Sequence, residues 1–506
     1  MSEPAPTIVI LGGGTAGWMT ACLMAKAWPA AQITLVESPE IGIVGVGEGS
    51  TPQLAAFFRS LGISDAEWMP RAHATYKAGI VFEGWSDRPG FARYVHPFAG
   101  PVDLHTEPAF HAYALARRQG RDVPAHPDAF FLNSWLIHHA RAPLAPEHFP
   151  FEQGFGYHFD AHLVGTVLRD HAVARGVTHL QRRIVEVAVA AGEVTHLVAE
   201  GGERIGGDLF VDSSGFRSVI AQQVLGVRFI PFAENLSNDR AVTIPTPRVA
   251  PLPCHTTTTA LSNGWAWRIP LDHRTGNGYV YASSYVSPDE AESELRAHLG
   301  LLDADVAARH LQMKVGRVAT SWTGNCLAVG LAQGFIEPLE ATALHIVQAT
   351  VEEFIAAWSR GGFSPKHRDT FNGRIARRYD GVRDYIVAHY RLNQRTDTAY
   401  WRDNAGHDRL SDSLKALMTC WFTGGDLVEE VHRQGISDIY APLSWGCLFA
   451  GYGLFPDRRE APTTPVDLSG IAQFLARCGS NYPPHDEVIA QEPRTTAAPI
   501  RIGEDA

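Results

Sequence analysis

The period of the apolar residues shifts along this chain, and each shift predicts a change of element. Thr7-Ile-Val-Ile-Leu11 is a continuous apolar run that breaks into three glycines at 12–14, and Trp18 to Ala27 is then mostly apolar over helical length. Gln32-Ile-Thr-Leu-Val-Glu37 is a second short run ending in an acid. The spacing predicts strand, glycine turn, helix and strand, the opening βαβ unit of a parallel sheet. Residues 184–189 and 193–198 read as short strands, and 208–212 as a later strand returning beside the first. Residues 240–287 are again strand-rich. Within them Gly264-Trp-Ala-Trp-Arg-Ile-Pro270 places two indoles on one face of a strand that ends at proline. From Leu344 to about Trp421 the pattern turns helical, as in Ile346-Val-Gln-Ala-Thr-Val351 and Tyr385-Ile-Val-Ala-His-Tyr390. After about 485 the chain is rich in Pro, Thr and Ala, which predicts a mobile tail.

With 506 residues and 45% hydrophobic content, the chain buries a large core and is expected to form more than one module. Its formal charge of −11 and pI near 6.1, without a Lys/Arg block, argue against a nucleic acid or an anionic membrane as partner. No apolar stretch reaches the roughly 20 residues of a membrane span. The polar start, Met1 to Thr7, lacks the features of a signal peptide. Six scattered cysteines contain no CxxC pair, and the 23 histidines show no HExxH spacing. Neither disulfides nor a metal site is expected, and a reducing, cytoplasmic setting fits best.

Gly12, Gly14 and Gly17 stand in GxGxxG register after the first strand, and Glu37 follows at the distance of a ribose-binding acid. Strand, helix and acid all fall in place, so a dinucleotide site around Gly12, Gly14, Thr15, Ala16, Gly17 and Glu37 is expected. The other motifs each have an ordinary explanation when read singly. Residues 45–52 make a glycine-dense loop, and Lys77 is one lysine in an apolar neighbourhood. Residues 335–345 read as a helix start with acids in its first turn, and His96 and Phe98 as packing residues.

Their order along the chain changes that balance. From Ile8 to about Gly453 the chain resembles the flavin-dependent halogenases of the tryptophan-halogenase family. Trp265, Trp267, Ile269 and Pro270 match the family's WxWxIP motif, and Pro338, Leu339, Glu340 and Thr342 match its Pro-Leu-Glu-Ser-Thr segment. Gly45, Val46, Gly47, Glu48, Thr51 and Pro52 match its GVGE-x-T-x-P loop. The resemblance implies an α/β fold, with a Rossmann-like FAD-binding module of flavin monooxygenase type and a mostly helical second module. We expect the first module over 1–343, with substrate-side insertions at about 85–155 and 230–315. The helical module then spans 344–485, and the tail 486–506.

By the same resemblance Lys77 and Glu340 are the catalytic residues, the lysine directing an electrophilic halogen and the glutamate assisting proton loss from the arene. A lysine so placed is expected to be poised nearer neutrality than a free one. Gly47, Glu48, Ser50, Thr51, Leu339 and Thr342 join the FAD contacts, and Thr342 with Ala343 cradles the halide. His96, Phe98, Trp265, Trp267, Pro338 and Trp445 line the substrate pocket and tunnel. The resemblance further implies FADH2 from a separate flavin reductase, O2, and bromide or chloride, with bromination favoured. No stable reductase complex is expected, and the chain is expected to be a monomer or homodimer.

The chain departs from the family pattern at three places. Ala341 replaces a common serine, and Ala343 stands where tryptophan-specific members often carry glycine. Residues 425–453 lack the tyrosine pair and the Phe-Trp step that grip the amino-acid head group, and Glu429 and Glu430 lie in a poorly matching context. The expected substrate is therefore an indole or simple indole derivative rather than free tryptophan. A flavin-dependent aromatic monooxygenase and a halogenase acting on a carrier-bound substrate are the alternatives.

Overall fold

The computed structural model describes residues 5–42, 48–456 and 467–491. Its first layer is a six-stranded sheet, whose order is Trp322–Thr323, Cys326–Ala328, Leu209–Asp212, Thr7–Leu11, Gln32–Glu37 and Thr178–Gln181. The central pairs run parallel, with Ile8 opposite both Leu209 and Ile33. Strands buried on both faces need continuous apolar runs, which is what 8–11 and 209–211 supply. The helix Thr15–Ala27 makes the crossover, starting three residues before its apolar pattern becomes evident. Gly17 allows the close packing of this helix, since a Cβ there would stand 2.0 Å from the Gly12 carbonyl oxygen.

A second sheet of eight strands carries the paired tryptophans. Arg309–Gln312, Arg240–Thr243, Arg274–Tyr281, Gly264–Pro270, His255–Leu261, Gly79–Glu83 and Arg93–Pro97 lie in that order, and Thr246–Pro247 pairs with Arg274–Tyr281. Strands from 79–97 and from 240–312 thus form one layer. The strand Gly264–Pro270 is buried except at Arg268: Trp265, Trp267 and Ile269 enter the main core, while Ala266 packs with Val242 and Tyr279 on the opposite face. A ribbon of Thr75–Lys77 against Gly156–His158 lies nearby, and Gly49 bridges to His158.

From Ala343 onward the named elements are all helices, from Ala343–Arg360 through Arg368–Arg391 to Pro442–Gly451 and Ser469–Gly479, and the periodicity predicts this as far as about Trp421. The expected tail boundary at 486 requires correction. His485–Gln491 is a helix with Ile489 buried in the main core and Asp486 paired to Arg248, because the Pro- and Thr-rich composition begins only at 493. All six cysteines are free thiols. Among the described residues no helix is long and apolar enough to cross a membrane.

Candidate active site

At the carboxyl end of the parallel sheet lies a cavity of about 900 Å³. Gly12, Gly14, Thr15, Ala16 and Glu37 line it, as do Thr342 and Ala343. The glycines permit this shape. A Cβ on Gly12 (φ 116°) would meet the Ser213 carbonyl oxygen at 2.2 Å, whereas Gly14 opens onto free space beside the first amides of Thr15–Ala27. Those amides and the helix dipole suit a phosphate. Glu37 is held in place by His179, whose Nε2–H donates to Oε1 at 2.7 Å. Ile41, Val185 and Val224 line the same cavity with exposed apolar side chains. Volume, amide cradle, acid and apolar rim together fit a dinucleotide such as FAD.

The other residues expected at the flavin are placed differently. Glu48, Ser50, Thr51 and Leu339 do not line the cavity, and neither does Gly17. The Ser50 hydroxyl accepts from the Tyr157 amide at 2.9 Å, Leu339 packs into the main core, and Glu48 is ion-paired to Arg274. Gly47, with Gly45 and Val46, lies outside the described residues.

Residues 336–344 face two ways. Ile336 and 342–344 border the cavity, while the Glu340 side chain enters a buried cluster. His96 donates from Nδ1 to Glu340 Oε2 at 3.0 Å, and His389 donates from Nε2 to Oε1 at 3.1 Å. The far nitrogens of these rings are also engaged, His96 Nε2 by the Ser444 hydroxyl at 3.0 Å and His389 Nδ1 by the Tyr452 hydroxyl at 2.7 Å. Burial by itself would raise the Glu340 carboxyl, but attraction to His96 and the two N–H donors outweigh it and hold the pKa at about 2.

Lys77 ends the strand Thr75–Lys77 and is 1% exposed. Burial pushes its amine down to about 7, against the opposing pull of the Glu340 charge. Its Nζ lies 5.4 Å from the centre of the Phe98 ring. A Cβ built on Gly49 would meet Lys77 Nζ at 3.6 Å, His158 Cδ2 at 3.8 Å and the Ala341 Cβ at 3.9 Å, so these groups converge on one point. Ala341 adopts a left-handed φ of 54° between Glu340 and Thr342, which turns the chain from one site to the other. No carboxylate among the described residues lies within 4 Å of Nζ, so the amine is not locked in an ion pair.

The two tryptophans stand with ring centres 6.1 Å apart and do not line the large cavity. Trp265 Nε1 donates to Glu337 Oε2 at 2.9 Å, and Trp267 lies flush against Gly278, where a Cβ would stand 2.1 Å from the indole. The WxW strand is thereby tied to the turn that carries Glu340. Trp445 packs edge-on to Tyr385 at 4.8 Å, and Tyr385 stacks on Tyr440 at 3.6 Å.

Several residues at the site carry no readable sequence signal. His389 falls in a segment read only as helical, and its partner Glu340 is 49 residues away. Its only trace is the i, i+4 spacing from Tyr385, which puts both on one helix face. Glu337 binds Trp265, Tyr390 and Asn238 through one oxygen. His96, expected in the substrate pocket, donates a hydrogen bond to Glu340, because a buried carboxylate needs donors.

Comparison with known proteins bears directly on this geometry. The tryptophan halogenase family profile matches residues 7–466. The 7-chloro-L-tryptophan 6-halogenase of Kutzneria sp. (strain 744) is 36% identical over 527 aligned residues, covering 96% of this chain and 99% of its own. The tryptophan 6-halogenase of Streptomyces toxytricini is 39% identical over 444 residues, 82% of this chain and 83% of its own. Its crystal structure superposes with a TM-score of 0.84 at 33% identity, covering 96% of this chain and 100% of that one. A flavin-dependent halogenase of Brevundimonas sp. BAL3 superposes with a TM-score of 0.79 at 32% identity, over 97% of this chain and 98% of its own. With the mixed α/β fold shared throughout, the chain belongs to the tryptophan halogenase family and is a flavin-dependent halogenase.

Proposed function

We propose that this enzyme halogenates an indole-type aromatic with hypohalous acid, using Lys77 and Glu340 as its catalytic residues. The observation that carries the reading is the buried Lys77 amine converging on Ala341, the residue after Glu340, on the segment that also borders the large cavity, with burial pushing the amine down to about 7. Gly12, Gly14, Thr15, Ala16 and Glu37 would hold the FAD, delivered as FADH2 by a separate flavin reductase. Bound reduced flavin supplies the activation of O2 that oxidises the halide. Thr342 and Ala343, at the start of Ala343–Arg360, offer amides to that halide at the positive end of the helix.

Lys77 receives the oxidised halogen as a free amine. At a pKa near 7 about half of it is unprotonated at neutral pH, which lets nitrogen hold the electrophile by hydrogen bond or by forming a haloamine. The arene gains halogen and loses one proton, and Glu340, kept anionic by His96 and His389, stabilises the cation and takes that proton. The leaving hydroxide combines with a proton to give water.

For the substrate, a simple indole is favoured over free tryptophan. Glu429 is exposed and Glu430 is paired with Arg433 at 2.7 Å, so neither is positioned to grip an ammonium. Bromide forms the weaker bond and is the easier halide to oxidise, so bromination is favoured and chlorination slower. The test is a competition between indole and L-tryptophan at equal concentration, with bromide and then chloride, read by mass spectrometry. Brominated indole in excess supports the reading, and chlorinated tryptophan in excess overturns the substrate and halide assignments.

A further inference from the structure

Away from the flavin cavity and the Lys77–Glu340 cluster, one group of metal-ligating side chains converges among the described residues. Nδ1 of His73 lies 2.8 Å from Asp272 Oδ1, and Nδ1 of His273 lies 3.1 Å from the same oxygen. The three ligand atoms all fall within 4.8 Å of one another, and the imidazole centres are 3.9 Å apart. We propose that His73, Asp272 and His273 bind a divalent transition-metal ion such as Zn²⁺ or Co²⁺. Two imidazole nitrogens and one carboxylate oxygen suit these ions, whereas Mg²⁺ and Ca²⁺ take oxygen ligands.

The donors stand close to the separations they need. Bonds of about 2.1 Å in a tetrahedral site put neighbouring ligand atoms about 3.4 Å apart, so small side-chain rotations open the trio around an ion. The backbones are already joined, since the Asp272 amide donates to the His73 carbonyl at 3.4 Å and the Thr75 hydroxyl to the Pro270 carbonyl at 2.7 Å. Asp272 is 12% exposed while the histidines are 34% and 39% exposed, which leaves the fourth position to water. The positive charge next to the site is balanced, because Arg274 is paired with Glu48 and with Asp160. An ion here fixes the turn that aims Arg274 at Glu48, and so staples the glycine loop's foot to two sheets. His73 and Asp272 are 199 positions apart, which is why no spacing motif announces the site.

The test uses tag-free enzyme titrated with Co²⁺ and then Zn²⁺. One Co²⁺ per chain should bind with a visible absorption band that Zn²⁺ removes and Mg²⁺ does not. Zn²⁺ should raise the thermal unfolding midpoint of the parent enzyme. His273→Gln alters an exposed side chain and Asp272→Asn keeps the shape, so both variants should fold and yet lose Zn²⁺ affinity by roughly tenfold or more. Absence of saturable Zn²⁺ binding in the parent would overturn the proposal and leave a hydrogen-bonded trio. So would unchanged affinity in both variants, since other histidines would then be the ligands.

Discussion

Lys77 is expensive where it stands. Lowering its pKa from 10.5 to about 7 corresponds to roughly 5 kcal/mol of penalty against the charged form, and among the described residues no carboxylate within 4 Å relieves it. A residue kept at such cost is a candidate for chemistry. Lys77→Ala should therefore abolish halogenation while FAD binding, followed by flavin fluorescence, stays intact. With the free amine as the proposed reactive form, halogenation measured in a single turnover should rise about tenfold per pH unit below 7 and level off above it. A flat profile between pH 5.5 and 8.5 would count against the amine. Glu340→Gln should slow arene halogenation by about 100-fold, within the usual range for a proton-transfer group, while hypohalous acid still forms. Equal loss of both would move Glu340 to a structural role. The pattern of residues shows Lys77 and Glu340 as unusual only through the family resemblance, since a lysine in an apolar stretch has no intrinsic signature. His96, His389 and Ser444 are not legible as a group at all, because their hydrogen bonds join segments up to 348 residues apart.

At the scale of elements, the turn carrying Glu340 is held by Glu337. One oxygen of this buried acid accepts from Trp265, Tyr390 and Asn238, and the other has no partner. Burial raises its pKa in spite of the three donors. Glu337→Gln keeps the accepting oxygen and should cost little, whereas Glu337→Ala strands the Trp265 and Tyr390 donors and should cost about 3 kcal/mol or more, measured by denaturant unfolding. Equal losses in both would show that the hydrogen bonds do not hold this turn. The βαβ start was readable because continuous apolar runs, three glycines and an acid all depend on local sequence. The paired tryptophans were readable as one strand face for the same reason. Their coupling to Glu337 was not, since it forms only when the eight-stranded sheet and the 337 turn meet. The helix His485–Gln491 escaped notice because its seven residues carry only two apolar anchors, Val488 and Ile489.

Across the whole molecule the two groups proposed as catalytic leave opposite marks on stability. Lys77 has a folded pKa below its unfolded value, so its penalty is complete below about pH 7 and fades as pH rises toward 10.5. Glu340 has a folded pKa depressed to about 2 from 4.5, so its contribution is present above 4.5 and lost as pH falls toward 2. Lys77→Met should therefore raise the unfolding midpoint, and by more at pH 6 than at pH 9.5. An equal gain at both values would mean that Lys77 is not desolvated in solution. Among the described residues, two segments reach both the large cavity and the Lys77–Glu340 cluster: 336–344, and 158–161, where His158 faces Lys77 while Phe159 and Ala161 line the cavity. On the proposed roles, halide oxidation and arene attack should be separable by mutation.

The most direct measurement is mass spectrometry of indole incubated with the enzyme, FAD, a flavin reductase, NADH and O2, in bromide, in chloride and in neither. The account predicts a product with the bromine isotope doublet in bromide alone, a smaller chlorinated product in chloride, and both absent from Lys77→Ala. An oxygenated indole that forms without halide, or halogenation that survives Lys77→Ala at the parent rate, would contradict it.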